Sequence, residues 1–170
     1  SMGKAALWRV PADHFRTLYD DRTGKPDWLA WASQLLVPIA IGTAAGVKGA
    51  NLQDVGGAVA GVSIVAGLLF AMSIFLFQLR TSLSQDKRLN QVDFRLVDEC
   101  MANTIWAIVW GLALTLYLVV MGAGGWMRQG VLRTTWTGIA IAAGTHFLVV
   151  IMMCLKRLRR AYERIAMKRP

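Results

Sequence analysis

The sequence predicts an all-α fold: an integral membrane bundle of four transmembrane helices, with cytoplasmic helical extensions and both termini cytoplasmic. Composition is the first observation, since 55% of the 170 residues are apolar and only 17% are charged, whereas a soluble domain carries roughly a quarter charged residues. Four long runs without charge are the second, and the uneven distribution of basic residues between the loops is the third. Together they exclude a soluble globular protein built around one large core.

The uncharged runs give the positions of the spans. A helix needs about 20 residues to cross roughly 30 Å of hydrocarbon, and four predicted spans meet this length: residues 28–47, 55–79, 100–122 and 134–155. The transmembrane domain therefore covers residues 28–155. A cytoplasmic amphipathic segment, residues 1–27, precedes it, and a basic cytoplasmic tail, residues 156–170, follows it.

The basic residues predict the orientation. Sixteen of the nineteen lysines and arginines lie in three segments, residues 1–27, 80–99 and 156–170. The two remaining loops hold the other three, Lys48, Arg128 and Arg133. Because lysine and arginine are retained on the cytoplasmic side of membrane proteins, both termini and the central loop are expected in the cytoplasm, with the protein in the inner membrane of a bacterial cell.

Apolar periodicity predicts helices outside the spans as well. Phe15, Leu18 and Tyr19 share one face of a short helix over residues 11–21, which we expect to lie at the inner headgroups or on a neighbouring helix. Along the tail, apolar residues recur at steps of three and four: Leu155, Leu158, Tyr162 and Ile165. The helices are therefore expected to continue past the spans and to form a small intracellular collar.

The basic tail is a candidate binding surface. Its basic residues lie directly inside the last span, as Lys156, Arg157, Arg159, Arg160 and Arg164. Such a cluster attracts the anionic headgroups of the bilayer, and it also suits a soluble cytoplasmic protein as partner. The net charge of +9 would suit nucleic acid too, but its position beside the spans favours the membrane.

Small residues at helical spacing predict close helix packing. They form three pairs one turn apart: Gly42 and Gly46, Gly57 and Gly61, and Ala140 and Gly144. Small residues let helix backbones approach each other in lipid. Pairs on three of the four spans predict a homo-oligomer, either a dimer or a ring, with four subunits as one expectation.

Polar residues inside the spans are the candidates for a permeation path. Gln34 and Asn103 lie in the inner part of their spans, and His146 is the only ionisable residue deep in any span. Pro38 cannot donate to the carbonyl of Gln34, so the first span is expected to kink there. These four residues are the predicted hinge and constriction. The alternative is that the amides and the histidine only join helices structurally.

Several absences restrict the function classes. No span interior holds Asp, Glu, Lys or Arg, so the carboxylate that couples many small transporters to protons or sodium is missing. No phosphate-binding loop or zinc-protease motif occurs, and Cys100 and Cys154 lack metal-ligand spacing. We therefore expect a protein that is not an enzyme and needs no metal or cofactor, with both cysteines as small apolar packing residues.

One family resembles this chain. The entry into the first span, Tyr19-Asp-Asp-Arg-Thr-Gly-Lys-Pro-Asp-Trp28, leads into a proline-bearing helix, and Asp98 and Glu99 precede an Asn103-bearing third span. This pattern, over residues 11–155, resembles the small four-helix membrane proteins of bacterial anti-phage defence operons, such as the Kiwa membrane subunit. The resemblance implies membrane surveillance or disruption during infection, with a soluble partner encoded alongside, and it assigns no site residue.

Three functions remain. The first is an oligomeric, channel-like membrane effector or sensor subunit that alters permeability or signals to a cytoplasmic partner. The second is a non-conducting anchor that holds a soluble protein through residues 80–99 and the basic tail. The third is a small transporter, which the missing membrane carboxylates disfavour.

Overall fold

The computed structural model describes residues 28–83, 91–124 and 130–167. They form four helices: α1 (Trp28–Val47), α2 (Val55–Leu83), α3 (Gln91–Ala123) and α4 (Gly130–Met167). The predicted all-helical class is confirmed, and each helix contains one of the four uncharged runs. The amphipathic segment, residues 1–27, and the last three residues of the tail lie outside the described residues.

Three of the helices are long and apolar enough to cross a membrane. These stretches are Val55–Ser82, Phe94–Ala123 and Gly130–Arg160. At 1.5 Å per residue, the 38 residues of α4 extend about 57 Å, which is well beyond the ~30 Å of a hydrocarbon core. The helix α1 is shorter and contributes the apolar stretch Ala32–Val47. The chain is therefore a membrane protein by the length and composition of these helices.

The end of α1 and the start of α2 show why the loop between them is so short. Gly49 follows α1 with a φ of +69°, a backbone conformation that glycine adopts readily. Here it lets the Ala50 N–H donate to the Ala45 carbonyl at 2.9 Å, which closes the helix. Four residues later the Asp54 carboxylate accepts from the Gly57 N–H at 2.7 Å and caps α2.

The helices pack in an order that differs from their order in the chain. The last helix, α4, packs against both α1 and α3, and α3 also packs against α2. The main core lies where α2, α3 and α4 meet, and it is built from Leu69, Ala107, Leu114, Leu118, Met121, Ala140, Phe147, Val150 and Cys154. Consequently α1 is held mainly by its contact with α4.

Large apolar side chains cover the outside of the bundle. On α1 and α2 they include Leu36, Ile39, Ile64, Leu68, Phe70 and Phe77, each more than half exposed. Soluble monomers rarely expose a contiguous apolar surface of this kind. Lipid or another protein helix is the environment that such a surface requires.

Candidate functional site

The proline of α1 leaves one backbone carbonyl without its helical donor. Pro38 lies inside α1 and is buried, and proline has no N–H to donate to the carbonyl of residue i−4, which is Gln34. In a hydrocarbon environment an unsatisfied backbone carbonyl costs several kcal/mol. A donor from another part of the protein is therefore expected at this position.

His146 of α4 supplies that donor. Its Nδ1 lies 2.9 Å from the backbone oxygen of Gln34. Because a carbonyl oxygen can only accept, Nδ1 must carry the proton in this contact. His146 of α4 therefore supplies the hydrogen bond that α1 lacks because of Pro38. We call this position in α1 the proline break. His146 is half-buried.

Trp110 of α3 contacts the histidine, and Trp106 contacts Trp110. The rings of Trp110 and His146 meet edge to face with centroids 4.8 Å apart and an interplanar angle of 69°. The Trp110 indole N–H donates to the carbonyl of Ala143 at 3.1 Å, which fixes its ring against α4. Trp106, one turn along α3, stacks at a centroid distance of 6.0 Å from Trp110. The histidine thus joins α1 on one side and an aromatic face of α3 on the other.

The side chain of Gln34 forms a second link between α1 and α4. It is 1% exposed, and its amide nitrogen donates to the sulfur of Met153. Gln34 therefore contacts α4 through both its backbone and its side chain, about two turns apart along α4. The sequence predicted Gln34, Pro38 and His146 as site candidates, and the structure brings these three together.

Asn103 is the fourth candidate residue of the predicted site. It is fully buried on α3, next to Thr104, whose hydroxyl donates to the Cys100 carbonyl at 2.8 Å. The ring of His146 contacts Trp110 of α3, about two turns further along the helix. Trp110 thus joins α3 to the histidine at the proline break. Its signal in the sequence is weak: it shares a helix face with Asn103 and Trp106.

The half of α1 that follows Pro38 packs closely on α4 through small residues. A methyl group added at Gly42 would lie 2.5 Å from the Ala142 Cβ and 2.6 Å from the Gly138 oxygen. One added at Gly138 would lie 2.8 Å from the Gly42 oxygen and 3.4 Å from the Gly46 Cα. Only glycine permits this approach of the two backbones.

The small pair of α4 that faces α1 differs from the predicted one. Gly138 and Ala142 make this contact, whereas Ala140 is buried in the core with α2 and α3. A methyl group added at Gly144 meets no other described atom within 4 Å. Residues two apart on a helix point about 200° apart, so a shift of two positions selects the opposite face. Both pairs of small residues have the same four-residue spacing, so the sequence does not show which pair faces α1.

The glycine pair of α2 does not join helices of the protomer. A methyl group added at Gly61 meets no other described atom within 4 Å, and one added at Gly57 meets only the side chain of Asp54. Gly67 lines an open, largely apolar groove of about 320 Å³ between α2 and α3, together with Ser63, Ala66, Phe70, Ile108, Leu112 and Thr115. The glycines Gly57, Gly61 and Gly67 of α2 are therefore exposed, whereas Ala66 is buried.

Ion pairs join the helices at the end that the charge distribution predicts to be cytoplasmic. Glu99 of α3 accepts from Arg157 of α4 at 2.9 Å, with side-chain exposures of 19% and 15%, and it also pairs with Arg95 at 3.2 Å. On the other side of α3, Asp98 accepts from Arg80 of α2 at 2.9 Å. These contacts connect α2, α3 and α4 at the end of the bundle that holds Arg80, Glu99 and Arg157.

The predicted lipid- or partner-binding cluster is therefore smaller than its sequence suggests. Arg157 is engaged with Glu99 and is largely buried, so it serves the α3–α4 contact and not the surface. Lys156, Arg159 and Arg160 are exposed, and Arg159 pairs with Glu163 on its own helix at 2.8 Å. The side chain of Arg164 lies outside the described residues.

The described residues contain no group of three or more His, Cys, Asp or Glu side chains that could hold a metal ion. Cys100 and Cys154 are both free thiols and are fully buried. Comparison with known proteins gives no match, since neither a protein-family model, a curated protein nor a solved structure is similar to this chain.

Proposed function

We propose that this chain is a non-enzymatic effector of the bacterial cell membrane, which forms a homo-oligomer and alters membrane permeability when it is triggered. The observation that carries the proposal is the carbonyl of Gln34, which Pro38 frees and His146 holds. A proline inside a membrane helix frees a backbone carbonyl and is a common site of helix bending. Ionisable side chains inside spans mark pathways for ions or protons.

In the proposed membrane arrangement α1 also crosses the bilayer. Its 20 residues extend about 30 Å, the thickness of a hydrocarbon core. The loop between α1 and α2 carries one basic residue, Lys48, while the tail after residue 155 carries seven. Both termini are then cytoplasmic, and residues 28–38 form the inner half of α1.

The hinge lies between two halves of α1 that contact α4 in different ways. Its outer half is held by backbone contact through Gly42 and Gly138. Its inner half is joined to α4 by the Gln34 amide, which binds Met153. Breaking the two links of this half to α4, the His146 bond and the Gln34 amide bond, lets it swing away from α4. The movement opens the α1–α4 interface toward the cytoplasm.

Exposed surfaces support an oligomer. The outward glycines of α2, Gly61 and Gly67, lie beside large exposed apolar side chains such as Leu68. Lipid does not require small residues, whereas a second helix that packs closely does. A dimer or a ring, with a tetramer as one form, would place α2 of each copy at the interface. A soluble cytoplasmic protein is the proposed trigger, and anti-phage defence is the proposed setting.

Expression of the chain alone in bacterial cells loaded with a potential-sensitive dye tests this function. The proposal predicts depolarisation by the wild type, and a marked reduction by Pro38→Ala, which returns the helical donor to the Gln34 carbonyl, at equal membrane abundance. Gly144→Ala adds a methyl group that meets no other described atom within 4 Å, so it serves as the control for expression. Full activity of Pro38→Ala, together with loss of activity when Lys156 and Arg160 are neutralised, would contradict the proposal.

The collar beyond the apolar spans favours a second candidate function, a non-conducting anchor for a soluble partner. The helix α3 begins nine residues before Cys100 and α4 continues to Met167, and ion pairs hold their ends together. The exposed Lys156 and Arg160 face the same compartment. This function predicts no depolarisation, and it predicts binding of a protein encoded by a neighbouring gene that alanine at Lys156 and Arg160 weakens.

A further inference from the structure

Three polar side-chain atoms near the start of α4 have no hydrogen-bond partner in the part of the chain that the structure describes. They are the Nε of Arg133, the indole nitrogen of Trp136 and the hydroxyl of Thr137, and the protein encloses all three. Each can donate a hydrogen bond. Residues at positions i, i+3 and i+4 share one helix face, so the three donors lie on the same side of α4. Because a buried donor without an acceptor is costly, an acceptor is expected beside this face.

The hydroxyl of Thr137 is directed differently from the other threonine hydroxyls. Thr137 is 0% exposed, and its hydroxyl makes no hydrogen bond with a described residue. A threonine in a helix can donate to a carbonyl of the preceding turn, and the other seven described threonines all do so. The hydroxyl of Thr137 therefore remains available to an acceptor outside its own helix backbone.

Contacts with Tyr117 of α3 hold Trp136 in place. The Tyr117 hydroxyl donates to the backbone carbonyl of Trp136 at 2.9 Å, and the two rings pack at a centroid distance of 5.8 Å. These contacts restrict the rotation of the indole. Its N–H is therefore held in one direction, where no described acceptor lies.

The charges at this end of the bundle favour an anion as the missing acceptor. Arg133 takes part in none of the ion pairs among the described residues, and the first turn of α4 contains no acidic residue. Asp54 is the only carboxylate in residues 28–85 and 100–162, and it already caps α2. Since the start of a helix also carries partial positive charge, the positive charge of Arg133 is not balanced here.

We propose that this face of α4 binds the phosphate group of an anionic phospholipid, with Arg133 as the cation and with Trp136 and Thr137 as neutral donors. Ionised phosphate oxygens accept hydrogen bonds, and the guanidinium group matches their geometry well. Arg133 is half-buried, so its long side chain meets the phosphate first and turns outward to admit it to the two enclosed donors. The site lies at the opposite end of α4 from the basic tail.

The neighbouring residues favour a lipid over free inorganic phosphate. Val131 and Leu132, which directly precede Arg133, are 81% and 55% exposed, so acyl chains attached to the phosphate have apolar surface to contact. Tryptophan is also typical of the level at which lipid headgroups lie. The inference goes beyond the proposed function and does not depend on it, because a conducting and a non-conducting protein would bind this lipid equally.

Thermal unfolding of the protein in a mild detergent tests the site. Dioleoylphosphatidylglycerol should raise the melting temperature, because it binds the folded state. Dioleoylglycerol, which has the same acyl chains and no phosphate, should raise it much less. Thr137→Val keeps the shape and the charge of the protein, so the lipid-free melting temperature should not fall, while the rise caused by phosphatidylglycerol should shrink. Arg133→Gln should reduce this rise further.

Native mass spectrometry with the same phosphatidylglycerol gives the affinities. We expect Arg133→Gln to weaken binding of the first lipid about tenfold and Thr137→Val about threefold. Lys48→Gln removes an exposed positive charge from the loop between α1 and α2, so it is the matched control and should leave this affinity unchanged.

Three results would overturn the inference. Wild-type affinity in Thr137→Val, or equal losses in Lys48→Gln and Arg133→Gln, would show that charge alone attracts the lipid. A melting temperature that rises equally with dioleoylglycerol would show that the phosphate is not recognised. A rise of the same size with inorganic phosphate would assign the site to a free anion and not to a lipid.

Discussion

The Nδ1 of His146 lies 2.9 Å from the backbone oxygen of Gln34, across 112 positions of sequence. This oxygen is the one that Pro38 leaves without its helical donor, so a side chain of α4 replaces the missing N–H of α1. The helix α1 therefore continues through its proline with support from His146 of another helix, and the Gln34 amide adds a second link to α4 through Met153.

A double-mutant cycle between Pro38 and His146 tests this dependence. In the wild-type background, His146→Ala leaves the Gln34 carbonyl unsatisfied, and we expect it to lower the free energy of unfolding by about 1–3 kcal/mol. In the Pro38→Ala background the helix regains its own donor, so the same change is expected to cost about 1 kcal/mol less. Unfolding in mixed micelles of rising SDS content measures both values. Equal costs in the two backgrounds would show that the carbonyl does not need the histidine.

The close approach of α1 and α4 gives a second prediction. Gly42→Ala places a methyl group 2.5 Å from the Ala142 Cβ and 2.6 Å from a backbone oxygen, so one of the helices must shift. We expect a loss of about 1–3 kcal/mol in stability. Gly61→Ala is the matched control, because its methyl group meets no described atom within 4 Å, and it should leave protomer stability unchanged. Thermal unfolding in detergent compares the two, and equal melting temperatures would contradict the packing described.

The sequence predicted the helices far better than their arrangement. Four uncharged runs were sufficient to predict four helices, because length and apolar composition are local properties. Which helices touch is a tertiary property, and no signal in the sequence placed α1 beside α4 and not beside α2, its neighbour in the chain. For the same reason Gly138 and Ala142, which face α1, could not be distinguished from Ala140 and Gly144.

The ion pair between Glu99 and Arg157 gives a third prediction. Both side chains are less than one-fifth exposed, so their attraction is screened less than that of a surface pair. We expect Glu99→Gln to lower stability by about 1 kcal/mol, and Arg157→Gln in that background to add little more. The exposed pair Arg159–Glu163 is the control, where Glu163→Gln should change stability by less than about 0.5 kcal/mol. Chemical unfolding in detergent measures the wild type, the Glu99→Gln and Arg157→Gln single variants, the double variant and Glu163→Gln. Additive losses at Glu99 and Arg157 would contradict a direct pair.

A fourth prediction concerns assembly. Native mass spectrometry of the protein in a mild detergent should give a multiple of the 18.7 kDa chain. Gly61→Leu and Gly67→Leu place large side chains on the outward face of α2, and they should shift the population toward smaller species while each protomer stays folded. A monomer at every concentration, or leucine variants that assemble as the wild type does, would contradict the proposed use of this face.

The candidate site was predictable in its members and not in its geometry. Gln34, Pro38 and His146 stand out in the sequence because polar residues and proline are rare in apolar runs. Their contact depends on the register between α1 and α4, which side-chain packing determines. Arg157 shows the opposite case: it looked like one member of a surface cluster, and only the fold brings Glu99 to it.

The permeability of sealed vesicles containing the purified protein tests the central claim most directly. In vesicles loaded with potassium, the wild type should dissipate the gradient faster than protein-free vesicles do. Pro38→Ala, which restores the helical donor to Gln34 and removes the hinge, should slow this flux at least threefold without loss of stability. A wild-type flux no greater than that of empty vesicles, or an equal flux in folded Pro38→Ala protein, would contradict the account.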